Sequence, residues 1–147
     1  MGDSDLMQLY SRRILALTTA IPHQGRLDYP EGSATRRSPH CGSSVTVDIR
    51  MRDGQIAEFA QQVRACALGQ ASAAVLGASV IGKSRDQILA TRDELHAMLK
   101  QDGTPPDGSF SELEALLPAR DYPNRHASIL LAWDATLAAI DQAAEAA

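Results

Sequence analysis

Two cysteines are the residues of this sequence best suited to sulfur or metal chemistry. Cys41 lies in the segment SPHCGS, where the neighbouring Pro39 and Gly42 favour a turn and a thiol near the surface. Cys66 lies in the segment RACALGQAS, where a strand pattern changes to a helix pattern. A helix N-terminus favours the thiolate, the form that binds metals and attacks persulfides. Spacing alone leaves two interpretations open: the two sulfurs converge, or they are unrelated reduced cysteines.

The strands around the cysteines are predicted from the alternation of apolar residues. Every second residue of 45–51 is apolar, which predicts a strand with one buried side and one side in solvent. Asp53 and Gly54 supply a turn, and residues 55–65 favour a second strand with a bulge, so the two runs form an antiparallel hairpin. Because a hairpin returns the chain to its starting side, we expect Cys41 and Cys66 on the same side of the sheet.

Helices are predicted from three-and-four apolar spacing and from the residues that cap helix ends. Three helices are predicted at residues 5–20, at residues 70–81 and from residue 124 to the end. Two more are predicted from capping boxes: one begins at Ser84 with Gln87, and a short one begins at Ser111 with Glu114. Long loops are expected at residues 22–39, with an edge strand near 34–38, and at 101–108. We therefore predict one α+β domain over residues 1–147, a small antiparallel sheet of about three strands covered by helices.

Composition restricts the class of protein. With 147 residues, of which 44% are hydrophobic and 22% charged, the chain can form a core without disulfides. It has no apolar run of about 18 residues and no signal-like N-terminus, so we expect a cytoplasmic protein with no membrane partner and no disulfide. A net charge of −4 with 4% aromatic residues disfavours nucleic-acid binding. Nucleotide-binding glycine loops and the HExxH and GxSxG motifs are absent from the sequence.

A resemblance to a known family is carried by one ungapped segment, PHCGSSVTVDIRMRDGQIAEFAQQVRACALGQASAAVLGASVIGKS. It resembles the centre of the U-type iron–sulfur cluster assembly scaffolds, which comprise IscU, SufU and the N-terminal domain of NifU. A Cys-Gly turn, a hairpin, a second cysteine before a helix of small residues, and a Gly-Lys-Ser end occur in the family's order. The segment PNRHASILLAWDATL is similar to the family's last helix, and the stretch before it is similar to the SufU branch.

In that family three cysteines and an aspartate hold zinc or a nascent cluster, and the resemblance assigns two of these positions to Cys41 and Cys66. The aspartate position is occupied by Ser43 and the third cysteine position by Ser128. Neutral hydroxyls are poor zinc ligands. His126, two residues before Ser128, is the candidate in this chain for completing the ligand set, although an exposed histidine at a helix cap is an equally good interpretation.

The resemblance implies two hypotheses of function. In the first, the protein is a divergent scaffold or sulfur-transfer protein that binds iron, zinc or a transient iron–sulfur cluster through Cys41 and Cys66. Cys41 is then the candidate persulfide acceptor, His40 a candidate acceptor of its proton, and the partners are a cysteine desulfurase and iron–sulfur acceptor proteins. The basic pair Arg36-Arg37 would attract an acidic surface or anionic sulfur.

In the second hypothesis, the protein is a non-catalytic interaction or regulatory module that keeps the scaffold fold without stable metal binding. The loss of two of the four ligand types favours it, whereas the two cysteines in their motif contexts favour the first hypothesis. Sulfur transfer is the one activity that would make the protein an enzyme rather than a carrier. We expect a monomer or a weak homo-oligomer, with a cluster shared between subunits as a further alternative.

Overall fold

The structure is a computed structural model that describes residues 10–39 and 42–146. In chain order it contains helix α1 (Arg12–Thr18), strands β1 (Gly32–Arg37), β2 (Ser44–Arg52) and β3 (Gln55–Arg64), helices α2 (Ala67–Ser79) and α3 (Arg85–Lys100), 3₁₀ segments at Gly108–Asp121 and Pro123–Arg125, and helix α4 (His126–Ala146). The strands form an antiparallel sheet in the order β1-β2-β3. The predicted α+β fold, with a three-stranded sheet and covering helices, is confirmed.

The predicted hairpin and its bulge are both present. Along β2 and β3 the pairing steps from Arg50 opposite Glu58 to Met51 opposite Ile56, which leaves Ala57 as the extra residue of a bulge in β3. The predicted edge strand is also present as β1, which begins two residues before the expected start and pairs with β2 alone. The sheet therefore brings the start of β2 and the end of β3 to the same edge of the molecule.

Asp48 in β2 corrects one expectation, because it lies on the strand side predicted to face solvent but is fully buried. The Arg26 guanidinium donates to both carboxylate oxygens of Asp48, at 2.7 and 3.1 Å, and the Leu27 backbone N–H donates at 3.0 Å. Burial raises the pKa of Asp48, but hydrogen bonds from Arg26, Ser33 and Leu27 outweigh it, so the pKa is lowered overall. The preceding loop thus covers this face and supplies partners for the buried charge.

Two predicted helical segments differ from the structure in their bounds. Within the described residues, the helix predicted over residues 5–20 corresponds to α1, which begins at Arg12 because Ser11 is extended and its hydroxyl accepts a hydrogen bond from the Ile14 N–H at 3.3 Å. Residues 1–9, which contain the start predicted at residue 5, lie outside the described residues. The short helical run predicted from Ser111 lies within a 3₁₀ segment, Gly108–Asp121, in which two helical pieces meet at a kink at Phe110; the second piece therefore begins next to Ser111, and it continues past Pro118 to Asp121.

The other predicted capping box is confirmed, with reciprocal hydrogen bonds between Ser84 and Gln87 of 3.2 and 2.9 Å at the start of α3. Among the described residues, no helix combines the length and the apolar character needed to cross a bilayer.

Helix α4 forms the centre of the core and packs against β1, β2, α2 and α3. Its predicted apolar stripe is confirmed as buried: Ile129, Trp133, Leu137 and Ile140. Close approach to β1 depends on Gly32, since a Cβ there would overlap the Ala139 carbonyl oxygen. The helix therefore crosses the sheet at a distance that only a residue without a side chain permits.

A buried hydroxyl joins α2 to α4. Ser72 Oγ donates to the Ile129 carbonyl oxygen at 2.6 Å and accepts from the Trp133 indole N–H at 3.0 Å. Both Ser72 and Trp133 are fully buried, so no water can replace these two hydrogen bonds. The relative rotation of the two helices is thereby set.

We predict that Ser72→Ala lowers the free energy of unfolding by about 1–3 kcal/mol, because the indole N–H and the Ile129 carbonyl lose their partner in a buried position. Urea denaturation measures the loss. Ser79→Ala is the matched control on the same helix, since the Ser79 hydroxyl makes an exposed hydrogen bond of 3.3 Å, and it should stay within about 0.5 kcal/mol of the parent. Equal effects of the two substitutions would contradict the structural role of Ser72.

Candidate sulfur and metal site

Cys66 occupies the junction between β3 and α2, where the sequence predicted it. It is the N-cap residue of α2, which begins at Ala67 rather than at residue 70, and its side chain makes no capping hydrogen bond. The thiol is half-buried and not in a disulfide. It therefore lies beside the positive end of the helix dipole with its sulfur available for another partner.

Two serines distant in the chain meet Cys66. The Cys66 sulfur lies 3.6 Å from Ser128 Oγ, and the Ser128 hydroxyl donates to Ser43 Oγ at 3.1 Å. These contacts join residues that are 62 and 85 positions apart in the sequence. Ser128 and Ser43 are 1% and 4% exposed, so this side of the thiol is shielded from solvent. The structure thus brings Cys66, Ser43 and Ser128 together, and we call them the Cys-Ser-Ser group.

The direction of the hydrogen bonds determines what the Cys-Ser-Ser group can do. A serine hydroxyl has one proton, and that of Ser128 is directed at Ser43. The neutral Cys66 thiol must therefore donate to Ser128 Oγ, whereas a Cys66 thiolate could accept after the Ser128 hydroxyl rotates. The group accommodates either protonation state of the cysteine.

Gly69 provides the space in which Ser128 meets Cys66. A Cβ built on Gly69 would lie 2.6 Å from Ser128 Oγ and 2.8 Å from the Ala65 Cβ, closer than side chains tolerate. This role of Gly69, like that of Ser72, is not predicted from either position taken singly in the sequence. The signal was present as the run of small residues after Cys66.

A backbone hydrogen bond joins the residue after β1 to the residue before β2. The Ser38 N–H donates to the Ser43 carbonyl oxygen at 2.8 Å, which extends the pairing of β1 with β2. Gly42 has a φ of +70°, a left-handed conformation that glycine adopts without strain. Cys41 and His40, both predicted site residues, lie outside the described residues.

His126 is buried, at 3% exposure, and its ring is held away from the Cys-Ser-Ser group. Its Nε2 lies 2.8 Å from the Ala119 carbonyl oxygen, which can only accept, so Nε2 carries the proton. The Nδ1 lone pair then accepts from the Lys100 ammonium at 3.3 Å. Both ring nitrogens are thus engaged by residues outside the group, and two positions along a helix turn His126 about 200° from Ser128.

This fold is shared with a known protein family. A family model, the NifU-like N-terminal domain, matches residues 9–144. The chain belongs to the NifU-like N-terminal domain family. The predicted resemblance to this scaffold family is confirmed.

Relatives and solved structures agree with the family. A NifU-like N-terminal structure from Brucella abortus is 43% identical with a TM-score of 0.94, and the match covers 97% of this chain and 99% of that one. The iron–sulfur cluster assembly scaffold protein IscU of Streptococcus pyogenes serotype M1 is 28% identical over 146 residues, which are 99% of this chain and 91% of the relative. A SufU structure from Fervidobacterium islandicum, 20% identical over 88% of this chain and 94% of that one with a TM-score of 0.79, shares the fold.

A resident metal in this NifU-like domain would need several suitable donor atoms close together. Within residues 10–39 and 42–146, no three His, Cys, Asp or Glu side chains lie together in a metal-binding arrangement. The Cys-Ser-Ser group offers one sulfur and two neutral hydroxyls, whereas zinc and cluster iron favour thiolate and imidazole. These three side chains alone do not fit a tightly held, four-coordinate metal.

The burial of His126 gives the NifU-like domain a pH-dependent stability. Burial, together with the charge of Lys100, lowers the pKa of His126 below its ordinary value near 6.5. As the pH falls through that ordinary value, the unfolded state binds a proton before the folded state does, so the stability declines. In urea denaturation between pH 7 and pH 5, we expect His126→Gln to remove this part of the decline.

His96→Gln is the control for that experiment, since it removes a histidine that is less buried and leaves His126 in place. It should retain most of the decline, because the charge of His96 is the smallest of the contributions that shift the pKa of His126. A pH dependence that is the same in the parent and in His126→Gln would contradict the assignment.

Proposed function

We propose that this NifU-like domain is an iron–sulfur cluster assembly protein, a divergent scaffold or sulfur-transfer protein that acts as a single domain. Its cargo is sulfur or a transient iron–sulfur cluster, carried on Cys41 and Cys66. The observation that carries the proposal is the Cys-Ser-Ser group, in which three of the four residues that the resemblance assigns to the family's ligand set are in contact. The relatives named as IscU scaffolds support the same function.

The place of Cys41 in the proposal rests on the covalent chain. Cys41 is two residues from Ser43, and two residues of chain span at most about 7 Å. Ser43 is itself hydrogen-bonded to Ser128, which contacts Cys66. This short reach supports a shared site in which both cysteines contribute to holding the same cargo.

A cysteine desulfurase is the proposed sulfur donor. The Cys41 thiolate attacks the outer sulfur of a persulfide on the desulfurase, a new sulfur–sulfur bond forms at Cys41, and the original sulfur–sulfur bond breaks. The desulfurase cysteine leaves as a thiolate, so no oxidant or reductant is consumed. His40, next to Cys41 in the sequence, is the proposed acceptor of the thiol proton.

The donor set predicts weak binding of iron or zinc, which suits a carrier protein. Two thiolates and two neutral hydroxyls hold iron or zinc less firmly than four anionic or imidazole ligands. The cargo would therefore pass readily to acceptor proteins, and zinc would bind loosely. We place this activity in the cytoplasm, where thiols stay reduced. We also assign the chain to the SufU-like branch, because the stretch between Cys66 and α4 is long.

A second candidate function is favoured by the same serines. Ser43 and Ser128 satisfy each other by a hydrogen bond without any metal, as expected for an interaction module that has lost metal binding. The two functions differ in whether the cysteines take up sulfur and iron at all.

The test measures sulfur uptake directly. The reduced protein is incubated with a cysteine desulfurase and cysteine, alkylated, and analysed by peptide mass spectrometry. We expect a persulfide on the wild-type chain, a loss of about tenfold or more in Cys41→Ser, and a smaller loss in Cys66→Ser. The double variant, which has no cysteine, is the blank, and circular dichroism checks that each variant is folded.

Anaerobic reconstitution with iron and sulfide forms the second part of the test. We expect visible absorption of a cluster in the wild type that is lost from both single cysteine variants. A folded wild-type protein that takes up neither persulfide sulfur nor iron would overturn the proposal in favour of the interaction module.

A further inference from the structure

A groove with basic walls lies on the outer side of α4, between the end of β1 and α3. Its volume is about 310 Å³. Arg36 and Arg37 of β1 line one wall. Arg92, His96 and Lys100 line the other, spaced four residues apart on one face of α3. We call this feature the basic groove.

The floor of the basic groove is apolar. Ala127, Leu130 and Leu131 of α4 form it, and Asp134 is the one carboxylate of the lining. That carboxylate is already paired, since Asp134 Oδ1 accepts from Arg92 Nε at 2.8 Å. The groove therefore combines a hydrocarbon surface with flanking positive charge.

The charge in the groove opposes that of the whole chain. Four permanent cations and one carboxylate line it, a formal charge of +3 in a protein of net charge −4. Among the described residues, neither Arg36 nor Arg37 forms an ion pair, and the Arg36 guanidinium donates only to the Thr35 carbonyl oxygen, at 3.1 Å. A concave surface concentrates such a field and attracts anions.

We propose that the basic groove binds a small di- or tricarboxylate. Cations on two walls flank an apolar floor, so the fitting ligand carries two or more anionic groups joined by a short hydrocarbon. Guanidinium groups bind carboxylates with two parallel hydrogen bonds. A volume of about 310 Å³ is at the small end of ligand sites. A single phosphate or sulfate places its charge at one point and leaves the apolar floor uncovered.

The basic groove borders the Cys-Ser-Ser group. Ala127 on its floor precedes Ser128, and Arg37 on its wall pairs with Ser44, the residue after Ser43. A bound polycarboxylate would thus lie next to the proposed sulfur site. The inference does not rest on the proposed function, because binding is measured without sulfur or iron.

Isothermal titration of the reduced, metal-free full chain tests the groove with citrate, succinate, phosphate and acetate at physiological salt. We expect citrate to bind about tenfold or more tightly than phosphate or acetate. Arg36→Gln should weaken citrate binding about tenfold, which corresponds to about 1.4 kcal/mol, the contribution of one charge-assisted hydrogen bond. Chemical-shift changes in α3 and α4 should locate the ligand.

Arg13→Gln is the matched control, because Arg13 is an exposed arginine of α1 that lies outside the groove and forms a long ion pair of 3.9 Å with Glu114. It should leave citrate binding unchanged. Absence of citrate binding, binding of phosphate or acetate as tight as that of citrate, or equal weakening by Arg36→Gln and Arg13→Gln would each overturn the inference. Loss of citrate binding with normal persulfide uptake separates this failure from a failure of the proposed function.

Discussion

The hydroxyl of Ser72 lies between α2 and α4, donates to the Ile129 carbonyl oxygen, and accepts from the Trp133 indole. Both bonds are buried, so breaking either leaves a polar group without water or partner. Since one residue corresponds to about 100° of helix rotation, this hydroxyl sets which side of α4 faces α2. Ser128 precedes Ile129 and is thereby directed at Cys66, at a place where Gly69 has no side chain to block it. The packing of two helices thus determines the geometry of the Cys-Ser-Ser group.

The contacts within the Cys-Ser-Ser group are hydrogen bonds that need no metal, and this bears on its chemistry. Three thiolates and an aspartate in one pocket would repel one another until a cation neutralised them. Ser43 and Ser128 are neutral and hydrogen-bonded to each other, so they add no charge repulsion to the pocket and attract a cation less than charged ligands would. The two serines thus stabilise the metal-free pocket by their hydrogen bond and lower its affinity for a metal ion. A carrier that takes up sulfur or a cluster and then releases it is consistent with this balance.

Features that depend on neighbouring residues could be predicted from the sequence. The hairpin with its bulge, the edge strand and the capping box at Ser84 follow from local patterns. Features that depend on residues distant in the sequence could not be predicted from it. Asp48 is buried because a loop more than twenty residues earlier in the chain supplies Arg26, and His126 turns from the site because Ala119 and Lys100 bind its ring. The contact of Cys66 with Ser128 required the family resemblance, since no local pattern joins residues 62 positions apart.

The most direct test is the iron affinity of Ser128→Cys, measured anaerobically and compared with that of the wild type. It shows whether the chain keeps the geometry of the family's ligand pocket although the ligands differ. If Ser128 occupies a true ligand position, a thiol there should raise the affinity about tenfold or more, equivalent to at least about 1.4 kcal/mol. Ala127→Cys adds the same thiol one residue away, on the side of the basic groove, and should produce no gain. An unchanged affinity in Ser128→Cys, or an equal gain in Ala127→Cys, would contradict this account of the site.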